Sequence, residues 1–277
     1  EDDMLTLWKM FGYTDEMIRT LIIPMAEKGE EPVVSMGFDS PLAVLSEQPQ
    51  SLFTYFKQQF AQVTNPPIDA IREKMVIGTE LFLGCDGEIE KDYPQNCRKL
   101  KIESPILTTS DFFKIQQLKQ KHQKTATQSI LYDYSQTKQN GLYHALDALF
   151  REAEAKIDQG ATILILSDRN ATKGKRPIPI LLAVSGLYNY LVRQRKGAKA
   201  SIVVDTAEVC EIHHYATLIG YGASGIHPYG AYATLEYFDL KDKIENYRKA
   251  CEKGIIKIMS RMGISTVAGY HGAQLFE

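Results

Sequence analysis

The 277-residue chain lacks a surplus of either charge, with 32 Lys and Arg against 34 Asp and Glu. Nucleic-acid partners call for a basic excess that releases phosphate counterions, so they are excluded as the main ligand. Long apolar runs are missing too. The longest candidate, Ile178 to Val192, is broken by Ser185, Gly186 and Asn189, and falls short of the roughly 20 apolar residues a spanning helix needs. Cysteine is scarce: Cys85, Cys97, Cys210 and Cys251 stand far apart with no CxxC pair, which excludes a zinc or redox motif and a disulfide scaffold and fits reduced, cytoplasmic thiols. No HExxH is present, and no glycine follows the apolar run ending at Val204, where a phosphate cradle would need one. The chain has no initiator Met and no leader segment, and stops soon after the Gly272-Ala273 pair. These ends predict a piece of a longer polypeptide.

What is present divides near the middle. Residues 1–95 read as a mostly helical and loop part. Thr14 caps a start followed by Met17, Ile18, Leu21 and Ile22, and Ser51 opens a second helix with Leu52, Phe53, Phe56 and Phe60. Residues 91–138, rich in Gln and Lys, read as surface helix and loop. From 141 the pattern is α/β. An apolar stripe through Leu142, Ala145, Leu146, Leu149, Ala153 and Ile157 predicts a helix stopped by Gly160. The run Ala161–Ser167 predicts a buried strand, Pro177 starts a helix to about Arg195, Ala200–Asp205 is a second strand, Glu208–Ile219 a third helix, and Gly225–His227 a third strand. This rhythm predicts a parallel sheet covered by helices.

Ligands in such sheets sit at the carboxyl ends of the strands. Those ends read Ser167-Asp168-Arg169, Asp205-Thr206-Ala207-Glu208 and His227-Pro228-Tyr229, a polar rim. Asp168-Arg169 reads either as a catalytic acid with an anion clamp or, preferably, as a strand-end ion pair. His213-His214, adjacent on a helix, diverge by about 100° and read as buried histidines rather than metal ligands. Gly220-Tyr221-Gly222 follows a helix and reads as its C-cap. Thr64-Asn65-Pro66-Pro67-Ile68-Asp69 reads either as a rigid corner or as a stiff wall presenting Thr64 and Asn65, with Asp69 capping the next helix.

Several long stretches resemble the central domain of the glutamate synthase large subunit. They are Phe11-Gly12-Tyr13-Thr14, Met36 to Ser46, Phe60 to Asp69, Gly160 to Arg169, Ile178-Pro179, His213 to Ala216 and Gly220 to Ala223. The likeness covers nearly the whole chain and is weakest between about 91 and 138. It implies a central domain over 1–240, with βα units in 141–240 that resemble a degenerate FMN-type, TIM-like barrel. Residues 241–277, with Lys257 to Thr266, would open the FMN-binding synthase domain as a first strand.

The resemblance also implies a function. The parent enzyme takes ammonia from glutamine at an amidotransferase domain and passes it through a tunnel to an FMN-bearing synthase domain, which aminates 2-oxoglutarate. The parent carries FMN and an iron–sulfur cluster, and its electrons come from a donor subunit or ferredoxin. This piece is expected to hold no cofactor and no catalytic group. It would connect the two domains of the same polypeptide, with Thr64, Asn65, Pro66 and Pro67 facing the ammonia passage and Met262, Gly263 and Ser265 approaching the FMN. The alternative is an independent α/β enzyme, or a small-metabolite binding module, using Ser167, Asp168, Asp205 and His227.

Overall fold

The structure, a computed structural model, describes residues 2–33, 50–59, 68–69, 71–87, 90–91, 93–120, 122–134 and 141–277. Its first part runs α1 (Asp2–Phe11), α2 (Asp15–Met17), a π turn (Ile18–Ile22), α3 (Ile23–Lys28), α4 (Glu73–Val76), β1 (Leu81–Leu83) and β2 (Leu100–Ile102). Next come α5 (Thr109–Gln116), β3 (Lys119–Gln120), β4 (Gln123–Ser129), β5 (Leu131–Asp133), α6 (Gly141–Asp158), β6 (Ile163–Ser167) and β7 (Lys175–Pro177). The chain closes with α7 (Ile180–Arg193), β8 (Ser201–Asp205), α8 (Ile212–Gly220), β9 (Ala223–His227), α9 (Tyr229–Tyr237), α10 (Ile244–Met262) and α11 (Val267–Tyr270).

Among the described residues five strands form the main sheet, in the order β3-β4-β6-β8-β9. β4, β6, β8 and β9 are parallel, and β3 is a short antiparallel edge on β4. The α/β reading with parallel βα units therefore holds. β6 is buried at every position, as its unbroken apolar run requires of a strand covered on both faces. On the outer side of β9, Ile106 bridges Ile226 in parallel, with Ile226 N donating to Pro105 O at 2.7 Å. Among the described residues the sheet is open.

Alternate residues of β4 look to opposite faces, which fixes the layers. Thr125 Oγ1 donates to the Ile115 carbonyl of α5 at 2.7 Å on one face. On the other, Gln128 Nε2 donates to the Leu149 carbonyl and the Glu152 carboxylate of α6, at 3.2 and 2.9 Å, and Lys156 Nζ donates to Gln128 Oε1. α6, α7 and α8 pack side by side as this second layer.

Several boundaries depart from expectation. The stretch 91–138 is not surface helix and loop; it holds β2, α5, β3, β4 and β5. Ser51 opens only a 3₁₀ turn, Leu52–Tyr55, because the following segment goes extended to pair with the chain's last residues. Lys57 N donates to Glu277 O and Gln59 N to Leu275 O. Phe60 lies outside the described residues. Pro177 ends β7, which pairs with β5, and the helix begins after Pro179 instead. α8 begins at Ile212 rather than Glu208, whose carboxylate reaches across to α7.

Lys257–Thr266 does not form a first strand. It continues α10 to Met262, where Gly263 closes the helix in the left-handed conformation, φ 68°. The core runs on without a break through this region: Tyr247, Cys251, Ile255, Met259, Val267 and Tyr270 join the same buried cluster as the strands. The expected cap at Thr14 is present, its Oγ1 accepting from Met17 N at 3.1 Å.

Candidate functional site

The register aligns the last residues of four parallel strands in one row: Ser129, Ser167, Asp205 and His227. Asp205 is its hub. Its carboxylate accepts from Ser167 Oγ at 2.9 Å, from Arg169 Nε and Nη2 at 2.7 and 3.2 Å, and lies 2.8 Å from His227 Nδ1. Burial alone would raise its pKa, but the bonds from His227 and Arg169 hold it below the ordinary carboxylate value. Arg169 also stacks over the Tyr229 ring, 4.1 Å from its centroid. The sequence pair Asp168-Arg169 is thus not an ion pair, because Arg169 reaches across to the next strand.

Asp168 turns the other way. It accepts the Thr206 hydroxyl at 2.5 Å and the Ala207 N–H at 3.2 Å. Burial pushes its pKa up to about 7, against the opposing effect of hydrogen bonds from Thr206 and Tyr229. Glu208 accepts the Ile180 N–H at 2.8 Å, satisfying a first-turn donor of α7. Burial raises its pKa to about 6, with that N–H opposing. Tyr13, from the segment before α2, donates its hydroxyl to Ala207 O at 2.7 Å and closes the rim from the N-terminal side.

The other ring nitrogen of His227 lies 3.2 Å from Thr109 Oγ1, and Phe112 stacks flat on the ring with centroids 4.5 Å apart. Thr109, His227 and Asp205 therefore follow the hydrogen-bond order of a nucleophile, base and acid. Here that order fixes the first turn of α5 to β9, since Asp205 is already neutralised by Arg169. Sequence reasoning missed Thr109 and Phe112. The signal was present in Thr108-Thr109-Ser110-Asp111, a capping pattern, and Thr108 Oγ1 does accept from Asp111 N at 3.1 Å. Tyr13 had no local signal, being 194 residues from its acceptor.

Of the candidates, Ser167, Asp168, Asp205 and His227 are brought together. Thr64, Asn65, Pro66 and Pro67 lie outside the described residues. Asp69 Oδ1 accepts from Ile71 N at 3.0 Å, ahead of α4. Met262 is buried, Gly263 is a helix cap and Ser265 is exposed, its carbonyl accepting from Gly78 N. His214 is a buried ring stacked on Phe53, its pKa pushed down to about 3 by burial, and His213 Nε2 lies 3.0 Å from Phe53 O. Gly222, at φ 112°, turns the chain after α8 as the C-cap reading requires. Among the described residues no three His, Cys, Asp or Glu side chains gather as a metal site.

The turn after β8 carries no glycine, and its N–H groups at Ala207 and Glu208 are already taken by Asp168 and Thr206, which leaves them unavailable to a phosphate. Beside the rim an open cleft of about 660 Å³ spans the ends of β4 and β6, lined by Ser167 and Arg169 but not by Thr109 or His227.

Comparison with known proteins gives the family. The glutamate synthase central domain family matches residues 6–277. The glutamate synthase (NADPH) large chain of Bacillus subtilis is 44% identical over 283 residues, covering 99% of this chain and 18% of that protein. Ferredoxin-dependent glutamate synthase 2 of Synechocystis is 42% identical over 289 residues, with 96% and 18% covered. The NADH glutamate synthase of Saccharomyces cerevisiae is 37% identical over 285 residues, with 96% and 13% covered. Among solved structures, the recombinant flavin-binding domain of baker's yeast flavocytochrome b2 is similar over 64% of this chain and 40% of that one, at 15% identity and a TM-score of 0.39. The chain spans less than a fifth of the length of these glutamate synthases. It belongs to the glutamate synthase central domain family.

Proposed function

We propose that this chain is the connecting domain of a glutamate synthase, an oxidoreductase that makes glutamate from glutamine and 2-oxoglutarate. In this reading it contributes no catalytic group. It holds an amidotransferase domain and an FMN- and iron–sulfur-bearing synthase domain of the same cytoplasmic polypeptide at a fixed spacing, and walls part of the passage for ammonia. Electrons reach the synthase domain from a donor subunit or ferredoxin.

The observation that carries the reading is how the buried ionisable groups at the ends of β6, β8 and β9 are used. Asp205, Asp168, Glu208 and His227 each bond to neighbours within the chain. A catalytic rim leaves donors and acceptors aimed at a substrate; this one ties β6, β8 and β9 to α5, α7 and α9. Rigidity of that kind suits a spacer.

Thr64, Asn65 and the Pro66-Pro67 turn are the proposed tunnel-facing groups. Carbonyls and small amides hydrogen-bond ammonia without protonating it, whereas a carboxylate would trap ammonium. Of the three residues proposed near FMN, Met262 is sealed in its own core, so the approach would be made by the exposed loop at Ser265 after Gly263.

The test is Asn65→Trp in the full polypeptide. Glutaminase turnover should continue while glutamine-dependent glutamate formation falls and free ammonia appears in solution. Unchanged coupling of the two activities would remove this loop from the passage.

A further inference from the structure

The cleft beside the rim is the part of the strand ends that the rim's own bonds leave open. Its position, outside the carboxyl ends of parallel strands, is where α/β sheets take ligands. Its volume of about 660 Å³ lies in the range of small-molecule sites. We propose that this cleft is a binding site for an acidic α-amino acid. The choice of amino acid rests on the function proposed above, whose product is glutamate.

The lining has the charges such a ligand needs. Arg169 is already oriented, with Nε and Nη2 on buried Asp205 and its plane on Tyr229, which leaves Nη1 for a carboxylate at little entropic cost. Lys175 is exposed, and its Nζ has no partner among the described residues. Directly across the β5–β7 pair stands Asp133, whose carboxylate can accept from an α-ammonium in addition to other donors.

Among the described lining residues Arg169 and Lys175 are cations and Asp133 an anion; Arg169 shares its charge with Asp205, so Lys175 supplies the unshared positive charge. An acidic amino acid, with two carboxylates and one ammonium, carries −1. Inorganic phosphate brings more negative charge and no ammonium, so Asp133 would repel it. Thr127 and Ser129 add exposed hydroxyls, and Asn170 adds an amide on a left-handed backbone, φ 65°, a conformation that non-glycine residues hold where neighbours impose it.

Hydrogen exchange of the full polypeptide with millimolar L-glutamate tests the site, because it reads the cleft locally whatever other sites bind. Peptides covering 127–134 and 167–175 should exchange more slowly. Lys175→Gln should weaken that protection roughly tenfold or more in ligand concentration, the worth of one hydrogen bond to a charged group. Lys173→Gln, in the same loop but outside the lining, should leave it unchanged. Glutarate, which lacks the ammonium, and inorganic phosphate should protect less than glutamate. Absence of protection, or protection indifferent to Lys175→Gln, overturns the site; equal protection by glutarate or phosphate overturns the amino-acid assignment. The ammonia-coupling assay on Asn65→Trp is independent, so failure here leaves the connecting role standing, and failure there leaves the cleft result readable.

Discussion

Asp205 and His227 end adjacent parallel strands in register, joined Oδ1 to Nδ1 at 2.8 Å with both side chains sealed from solvent. Asp205→Asn keeps the shape but strands Arg169 without its counter-charge. Breaking a buried pair by removing one partner costs about 3–5 kcal/mol, and Arg169, 41% exposed, can turn partly to water, so about 3 kcal/mol is expected from urea unfolding. A loss within the scatter of surface substitutions would mean the hub is not structural.

Two buried acids give the protein an unusual pH profile. The pKa of Asp168 rises from 3.8 to about 7 on folding, and that of Glu208 from 4.5 to about 6. The folded state then binds more protons than the unfolded one in those windows, so stability is greatest below the unfolded values and is lost as pH rises through the folded ones. Asp205 works oppositely: its folded pKa is depressed, so its contribution is present above 3.8 and lost as pH falls below it. Buried His214, lowered to about 3, and His271 work against the two acids below the ordinary imidazole value, so the readout is the variant: relative to wild type, Asp168→Asn should raise the urea midpoint near about pH 8 more than near about pH 5. A slope unaltered by Asp168→Asn would contradict the assignment.

Gly230 sits at the start of α9 against the β8–α8 turn. A Cβ there meets Ala207 Cα at 2.7 Å and its carbonyl oxygen at 2.8 Å, backbone atoms that cannot step aside cheaply. Gly230→Ala should cost about 1–3 kcal/mol, seen as a lower thermal midpoint. Gly160→Ala, with open space around it, should lose only the smaller cost of a positive φ, 91°.

Phe112 and Phe113 are neighbours with opposite fates. Phe112 is fully buried on His227, whereas Phe113 is 45% exposed. Phe112→Ala should cost about 3–5 kcal/mol and Phe113→Ala well under 1 kcal/mol, measured by the same unfolding titration. Equal losses would displace α5 from its position over the rim.

The sequence signals that succeeded were those of burial on both faces. Ala161–Ser167 and Ala200–Asp205 read as strands because each holds an unbroken apolar run, Ile163 to Leu166 and Ile202 to Val204, and their ends did gather into one rim. β4 escaped because Gln123–Ser129 carries a single aliphatic side chain, Ala126, and takes its place from hydrogen bonds and its neighbour β6 rather than from apolar pattern. The helix expected at Ser51 failed for a non-local reason: residues 57–59 pair with 275–277, more than 200 positions away. Partner choice at the rim was equally hidden. Arg169 sits beside Asp168 in sequence, yet just beyond the end of β6 the two side chains part, Asp168 to Thr206 and Ala207 and Arg169 to Asp205.

Gln128 gives β4 a form of proofreading. A slide of β4 by one residue against β6 would swing Gln128 to the opposite face and turn Thr127 or Ser129 toward α6. The Leu149 carbonyl and the Lys156 ammonium would then lose the long amide that now reaches them. In its apolar neighbours a slip is opposed by exposed aliphatics; in β4 it is opposed by unanswered polar groups. The strand is thereby able to remain almost free of hydrophobic side chains, and so poor in the stretches that seed aggregation, while still having only one correct seat.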